Sequence, residues 1–257
     1  MRGFTGGAII RSLVNLVGWG TKVLYYILRP FFWVFFRTII AVLGGLRVEN
    51  ADRVPRRGGV IVAPNHISFA DPPVVAVCLK RYAWFLATDE MFQIPVMGTL
   101  AKIMRALPIR QDSPDRSALR RTLDLLKGGE AVVIFPEGHV SKDGRLQPIQ
   151  AGTILLAIQA GVPIVPVGVV ATDRMMPPHQ WKLHHAGRRM TVRFGAPIPV
   201  DELAGGLKGR AALDHGVEVL RAAITALSEQ PAPSEVVEEP VRRENRATVA
   251  EQSKLRV

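Results

Sequence analysis

His66 and Asp71 lie five residues apart in the stretch N-H-I-S-F-A-D, residues 65–71, with Ser68 the one other charged or hydroxyl side chain between them. An imidazole is the best side-chain base near neutral pH. A carboxylate beside it fixes its tautomer and stabilises the imidazolium that forms when the proton arrives. General-base catalysis of that kind is worth on the order of 100- to 10,000-fold in rate. On spacing alone, the commoner reading of such a pair is a loop histidine satisfied by a nearby carboxylate. A second motif supplies context: F-P-E-G, residues 135–138, ends an apolar run. An acid followed by glycine at the carboxyl end of a strand stands where open α/β sheets place ligands. Gly138 there lets the backbone approach a substrate closely. Without that context Glu137 reads as a solvated turn residue and Gly138 as a turn position needing positive φ.

The elements that must hold these residues are legible from residue 58 onward. G-V-I-V-A-P, residues 59–64, reads as a buried strand. A helix is expected over 71–80, with Asp71 as its N-cap and Pro72 at the first helical position. His66 then falls in the strand-to-helix loop. Y-A-W-F-L-A is strand-like, and 89–105 mostly helical. Residues 114–127 form a basic amphipathic helix stopped by Gly128-Gly129. A-V-V-I-F-P is the next strand, G-T-I-L-L-A-I-Q-A-G a helix closed by Gly161, and V-P-I-V-P-V-G-V-V a strand whose prolines suit an end or an edge. M-T-V-R-F-G is a further strand, and 209–228 the last helix. Alternating helices and near-continuous apolar strands imply an α/β fold: a mixed, largely parallel sheet flanked by helices.

The N-terminus is different. Residues 1–48 hold Arg2, Arg11, Lys22, Arg29, Arg37 and Arg47, no acid, and a high density of aromatics. Basic plus apolar is the signature of a membrane interface, whereas a nucleic-acid arm is basic plus polar. Uncharged runs cover 12–21, 30–36 and 38–46, all short of the roughly 18–20 residues of a simple span. Arg29-Pro30 breaks the segment in two. The expectation is an N-terminal apolar two-helix membrane segment entering one leaflet, its arginines snorkelling to the headgroups; a single tilted span is the other reading. Three parts follow: 1–46 at the membrane interface, 47–228 as the α/β domain, and a Glu/Pro/Arg-rich tail over 229–257 expected to be disordered. The net charge of +11 therefore belongs to the body of the protein. A single cysteine, Cys78, rules out an internal disulfide and suits a reducing compartment.

N-H-x-S-x-x-D, then F-P-E-G, then V-P-I-V-P-V, in this order and at these intervals, resembles the glycerolipid acyltransferase family over about residues 45–205. The resemblance implies an O-acyltransferase that moves a fatty acyl chain from a thioester, on coenzyme A or acyl carrier protein, to a lysolipid hydroxyl. It implies His66 as base and Asp71 as its orienting partner, with no acyl-enzyme and no cofactor or metal. It implies 1-acylglycerol-3-phosphate as acceptor, Glu137 and Gly138 at its glycerol and phosphate end, and residence at the cytoplasmic face of the cell membrane. Cys78, in an apolar run, reads as core rather than nucleophile.

Several family cations are missing. The family's lysine, glutamate-preceding position falls in Ala87-Thr88-Asp89-Glu90, its strand arginine on Gln111, and its F-P-E-G-T-R-S reads His139-Val140-Ser141 after the glycine. Arg110 stands one residue early, which on a strand turns it to the other face. Arg110, His139, Ser141, Lys142 and Arg145 are then the groups left to hold a phosphate. Alternatively the acceptor is a lyso-glycolipid, lyso-aminolipid or other hydroxyl lipid, or the fold is a non-catalytic lipid binder. His179, His184 and His185 lack the spacing of a metal site. The cations of 116–127 suit a solvated face, anionic lipid or a carrier protein; a nucleic-acid role leaves the two motifs unexplained. Oligomeric state is not encoded in any feature of the chain.

Overall fold

The computed structural model describes residues 30–31, 33–110, 115–178, 180 and 182–229. The first of the two expected N-terminal helices and the 230–257 part of the tail lie outside these residues. The described chain opens with a helix over residues 33–42 (α1). A seven-stranded sheet follows: β1 (Leu46–Glu49), β2 (Val60–Pro64), β3 (Ala83–Thr88), β4 (Ala106–Ile109), β5 (Ala131–Val133), β6 (Ile164–Val170) and β7 (Met190–Phe194). Their order across the sheet is β1-β7-β6-β2-β5-β3-β4. Every neighbouring pair is parallel except β6 and β7. The sheet is therefore mixed and largely parallel, as the alternation of elements implies.

The strands are apolar throughout because helices cover both faces. Along β2 the side chains alternate: Val60 and Val62 enter one core with Val74 and Phe85, while Ile61 and Ala63 enter the other with Leu126, Ile154 and Leu220. The first core is roofed by α1, by α2 (Asp71–Cys78) and, beyond α3 (Asp89–Gln93), by α4 (Pro95–Ile103). The second is roofed by α5 (Arg116–Lys127), α6 (Gly152–Ala160) and, after the short α7 (Thr172–Met175) and α8 (Val200–Ala204), the long α9 (Gly209–Ser228). The Trp33 indole N–H donates to the Val77 carbonyl at 3.0 Å and ties α1 to α2.

Four local expectations are corrected. Asp71 is the first helical residue rather than the cap; Ala70 holds the cap position with no side-chain bond, because the Asp71 carboxylate turns back into the preceding loop. That helix also ends at Cys78 rather than residue 80. The helix over 89–105 is two helices, since Pro95 forces Ile94 into extended backbone (φ −81, ψ 117). Pro166 lies in an interior strand, not at an edge. Val167 pairs Phe194 and Ile164 pairs Ile198, so two residues of β6 face three of its partner. This bulge is where a missing N–H is tolerated. No described helix is long and apolar enough to cross a membrane.

Candidate active site

The loop leaving β2 carries N-H-I-S-F-A-D, and each polar side chain in it has a separate task. Asn65, fully buried, splints the loop to β6: its amide donates to the Val169 carbonyl at 3.0 Å and its oxygen accepts the Val169 N–H at 2.7 Å. Ser68 donates to the Met176 carbonyl at 2.8 Å and accepts the Ala70 N–H at 3.0 Å. Asp71 is 0% exposed and works as a hub. Its Oδ2 accepts the N–H groups of Ile67 (2.7 Å) and Ser68 (2.8 Å) and lies 2.9 Å from His66 Nδ1. Its Oδ1 accepts the Thr172 hydroxyl at 2.5 Å. Ala171, held at φ 66, turns the chain so that Thr172 reaches the carboxylate. Such a left-handed alanine costs roughly 1–2 kcal/mol.

This geometry assigns the histidine tautomer. An oxygen that already receives two backbone N–H groups is an acceptor, so Nδ1 carries the hydrogen and Nε2 keeps its lone pair. The His66 side chain is 13% exposed, and its ring stacks on Phe135 at 4.0 Å between centroids, 27° from parallel. An oriented imidazole at the carboxyl end of a central strand can accept a proton from a hydroxyl held in front of it.

F-P-E-G leaves β5, the neighbour of β2. Glu137 is 0% exposed, and both carboxylate oxygens face inward. Oε1 accepts the His66 N–H at 2.6 Å and Oε2 the Gln147 N–H at 2.7 Å. Burial pushes its carboxyl up to about 8, against the pull of those two donors. Glu137 thus clamps the His66 loop to its own loop and does not reach outward in this structure. Ser141, also fully buried, adds a second clamp through its N–H to the His66 carbonyl at 2.7 Å. Its hydroxyl donates to Asp143, which also accepts from the Gln147 side chain and the Arg145 N–H. Gly138 has φ +79, a left-handed conformation that requires glycine; the nearest group to a Cβ there is the end of the exposed Gln150 side chain, which can swing aside.

The structure brings His66, Asp71, Glu137, Gly138 and Ser141 together. His139, Lys142 and Arg145 are exposed on the loop that clamps His66. Arg110, also exposed, follows edge strand β4, three strand spacings from β2, or roughly 14 Å. Thr172, Asn65, Gln147 and Asp143 also build the site. Asn65 sits in the quoted motif, whereas nothing local marks Thr172, 101 residues from Asp71. Burial pushes the Cys78 thiol up to about 12, so it is held as an unreactive thiol. Among the described residues no three His, Cys, Asp or Glu side chains gather as a metal site; His179 lies outside them.

Beside the loop, on the α1–α2–α4 side, lies an almost wholly apolar cavity of about 900 Å³. Phe36, Phe69, Ala70, Val74, Leu100 and Met175 are among its walls. Phe69 and Ala70 belong to the stretch between His66 and Asp71. Its size is at the top of the roughly 300–1,000 Å³ range of ligand pockets.

Residues 45–170 match the Acyltransferase family model. A chloroplastic 1-acyl-sn-glycerol-3-phosphate acyltransferase of Brassica napus is 35% identical over 119 residues, 46% of this chain and 34% of that protein. A lyso-ornithine lipid O-acyltransferase of Rhizobium meliloti is 28% identical over 148 residues, 56% of this chain and 49% of that protein. The chain thus spans between a third and a half of each. In fold it is similar to the crystal structure of the 1-acyl-sn-glycerophosphate acyltransferase PlsC of Thermotoga maritima, with a TM-score of 0.59 at 20% identity over 85% of this chain and 97% of that one.

Proposed function

We propose, from the membership of residues 45–170 in the acyltransferase family, that the protein is an O-acyltransferase moving a fatty acyl chain from a thioester to a lysolipid hydroxyl. One observation carries the reading. The seven-residue loop that orients His66 on Asp71 is also a wall of the apolar cavity. A base and an acyl-sized space therefore meet at one backbone segment.

In this mechanism His66 Nε2 takes the proton of the acceptor hydroxyl as its oxygen attacks the thioester carbonyl. Asp71, fixed by four donors, stabilises the imidazolium. The tetrahedral intermediate expels the thiol, and the imidazolium returns its proton to the leaving sulfur. No acyl-enzyme forms. Glu137 and Ser141 act as positioning residues, holding the His66 backbone from both sides.

The leading acceptor is 1-acyl-sn-glycerol-3-phosphate, giving phosphatidic acid in phospholipid biosynthesis, with Lys142 and Arg145 as its phosphate cations. Both are exposed on the clamping loop. The absence of a cation at Thr88 and Val140 favours a second reading, an acceptor without a phosphomonoester; the likeness to the lyso-ornithine lipid enzyme supports it. The lipid acceptor explains the exposed apolar side chains of α1, Val34, Phe35 and Val42, and of Phe31 near its start, 70% exposed. Those side chains suit burial in the cytoplasmic leaflet. Lysophosphatidic acid, a lyso-aminolipid and a lyso-glycolipid, each offered in nanodiscs with an acyl thioester, test the assignment by mass spectrometry of the product. Acylation of lysophosphatidic acid alone supports the first reading; acylation of another lipid in its place overturns it.

A further inference from the structure

Among the described residues, three supports hold the His66–Asp71 loop from outside by hydrogen bonds. Strand β6 holds Asn65 through Val169. The loop after β5 holds the His66 backbone through Glu137 and Ser141. The segment 172–176 holds the other two polar side chains. The Thr172 hydroxyl donates to Asp71 Oδ1 at 2.5 Å, and the Ser68 hydroxyl donates to the Met176 carbonyl at 2.8 Å. Of the three supports, only 172–176 lines the apolar cavity, through Met175 and Met176. One short segment, α7 and the residue after it, thus holds the partner of His66 on one side and borders the cavity on the other.

Helix α7 has little of its own to keep its shape. One backbone hydrogen bond closes it, from the Met176 N–H to the Thr172 carbonyl at 2.9 Å. A lone turn fixes several dihedrals for one such bond, so its position comes from what packs on it. Ala171, immediately before it, is held at φ 66, a conformation that persists only where the surroundings impose it. The packing side chains are Met175, buried in the core, and half-buried Met176. Methionine is unbranched and flexible and follows the outline of an irregular neighbour. An apolar chain laid against these side chains adds many small attractions. Those contacts fix the two groups, the Thr172 hydroxyl and the Met176 carbonyl, on which Asp71 and Ser68 depend.

We propose that α7 couples filling of the cavity by the donor's acyl chain to the orientation of His66, with Met175 and Met176 in contact with the chain and Thr172 and Ser68 as positioning residues. The inference rests on the acyl-transfer reading and adds where the chain's binding energy goes. Part of it holds Asp71, and through Asp71 the imidazole, instead of tightening the grip on the donor. Binding energy from a remote part of a substrate that is used to orient the reacting groups appears in the rate of the chemical step, so a truncated substrate loses rate as well as affinity. A cavity that only bound the chain would raise affinity with chain length and leave the transfer rate unchanged.

The test measures single-turnover transfer by the full chain in nanodiscs holding lysophosphatidic acid and a lyso-aminolipid, with hexanoyl and palmitoyl thioesters of coenzyme A and of acyl carrier protein as probes. At saturating donor, wild type is expected to transfer palmitate at least about tenfold faster than hexanoate. Thr172→Val keeps the branched shape and removes the hydroxyl. It lowers the palmitoyl rate about 10- to 100-fold and brings the two chains within about threefold of each other, with the half-saturating donor concentrations little changed. Thr172→Ser restores both the rate and the preference. Met175→Ala also narrows the ratio, and its loss combined with that of Thr172→Val falls short of the product of the two. Should Met175→Ala fail to fold by circular dichroism, Met176→Ala is read in its place. Equal rates for the two chains in wild type overturn the proposal. So does a Thr172→Val protein that slows both chains alike, the mark of a hydroxyl with a structural role alone. Hydrogen exchange with unreactive hexyl and palmityl thioether analogues separates the coupling from acyl transfer. The Ile67 and Ser68 amides are bonded to Asp71, so the palmityl analogue alone is expected to slow exchange over 66–71 and 172–176. Slowed exchange with no transfer from any thioester refutes acyl transfer and leaves the coupling standing. Transfer without slowed exchange overturns the coupling and leaves acyl transfer standing.

Discussion

Glu137→Gln separates positioning of His66 from direct contact with the acceptor. Both carboxylate oxygens accept backbone N–H groups, from His66 and Gln147, and solvent does not reach them. Glutamine keeps the shape and one acceptor oxygen, but its NH₂ then faces an N–H, at a cost of about 1–3 kcal/mol. The loop it loosens carries the base, and a displacement of about 1 Å is worth on the order of 100-fold in rate. We expect kcat to fall about 10- to 100-fold with the acceptor KM little changed. The pH dependence is a second readout. Burial raises the carboxyl from its ordinary 4.5 to about 8, so the folded state keeps a proton that the unfolded chain has released. Wild-type stability therefore falls as pH rises from about 4.5 to about 8, by on the order of 4–5 kcal/mol at most. The glutamine variant lacks that slope. It is the less stable protein near the acid end of the window and the more stable one near the alkaline end, and its urea-denaturation midpoints cross those of wild type. A raised acceptor KM with unchanged kcat would show that Glu137 touches the acceptor. Parallel stability curves would refute the buried proton.

Further outcomes follow from the same geometry. Asp71→Asn presents an NH₂ to His66 Nδ1 or strands the loop amides, so kcat drops on the order of 10³- to 10⁴-fold while the far-ultraviolet circular dichroism is retained. Cys78→Ala keeps activity within about threefold, and thiol-directed alkylation of the folded protein is slow, because the thiol is buried and held protonated; inactivation by this substitution with the fold intact would restore an acyl-enzyme route. Gly138→Ala forces a left-handed alanine at φ +79; it lowers stability by about 1–3 kcal/mol in thermal denaturation.

The His66–Asp71 pair was legible because its geometry is local: five residues separate His66 from Asp71, and one strand-to-helix loop brings them together. The strands were legible because β2 and β6 are buried on both faces and spell continuous apolar runs. What local pattern does not encode is long-range satisfaction. Asp71 reads as a helix cap because it precedes Pro72-Pro73, yet its oxygens are claimed by the loop amides and by Thr172, a partner from the far end of β6. Glu137 reads as a group for the acceptor because it follows a strand, yet the fold closes over it and hands it two N–H donors. The four-residue β1 carries too little alternation to stand out, and its pairing with β7 alone defines it. Pro166 reads as an edge residue because its tolerance depends on a bulge across from it, at Gly195.

The most direct test of the central claim is thiol release from a fatty acyl thioester in lysophosphatidic acid nanodiscs, wild type beside His66→Ala. Direct transfer with His66 as base predicts one thiol per acylated lipid in wild type and a loss on the order of 10²- to 10⁴-fold in the variant, with vesicle binding unchanged. A folded His66→Ala protein that releases thiol and acylates lipid at the wild-type rate would contradict it.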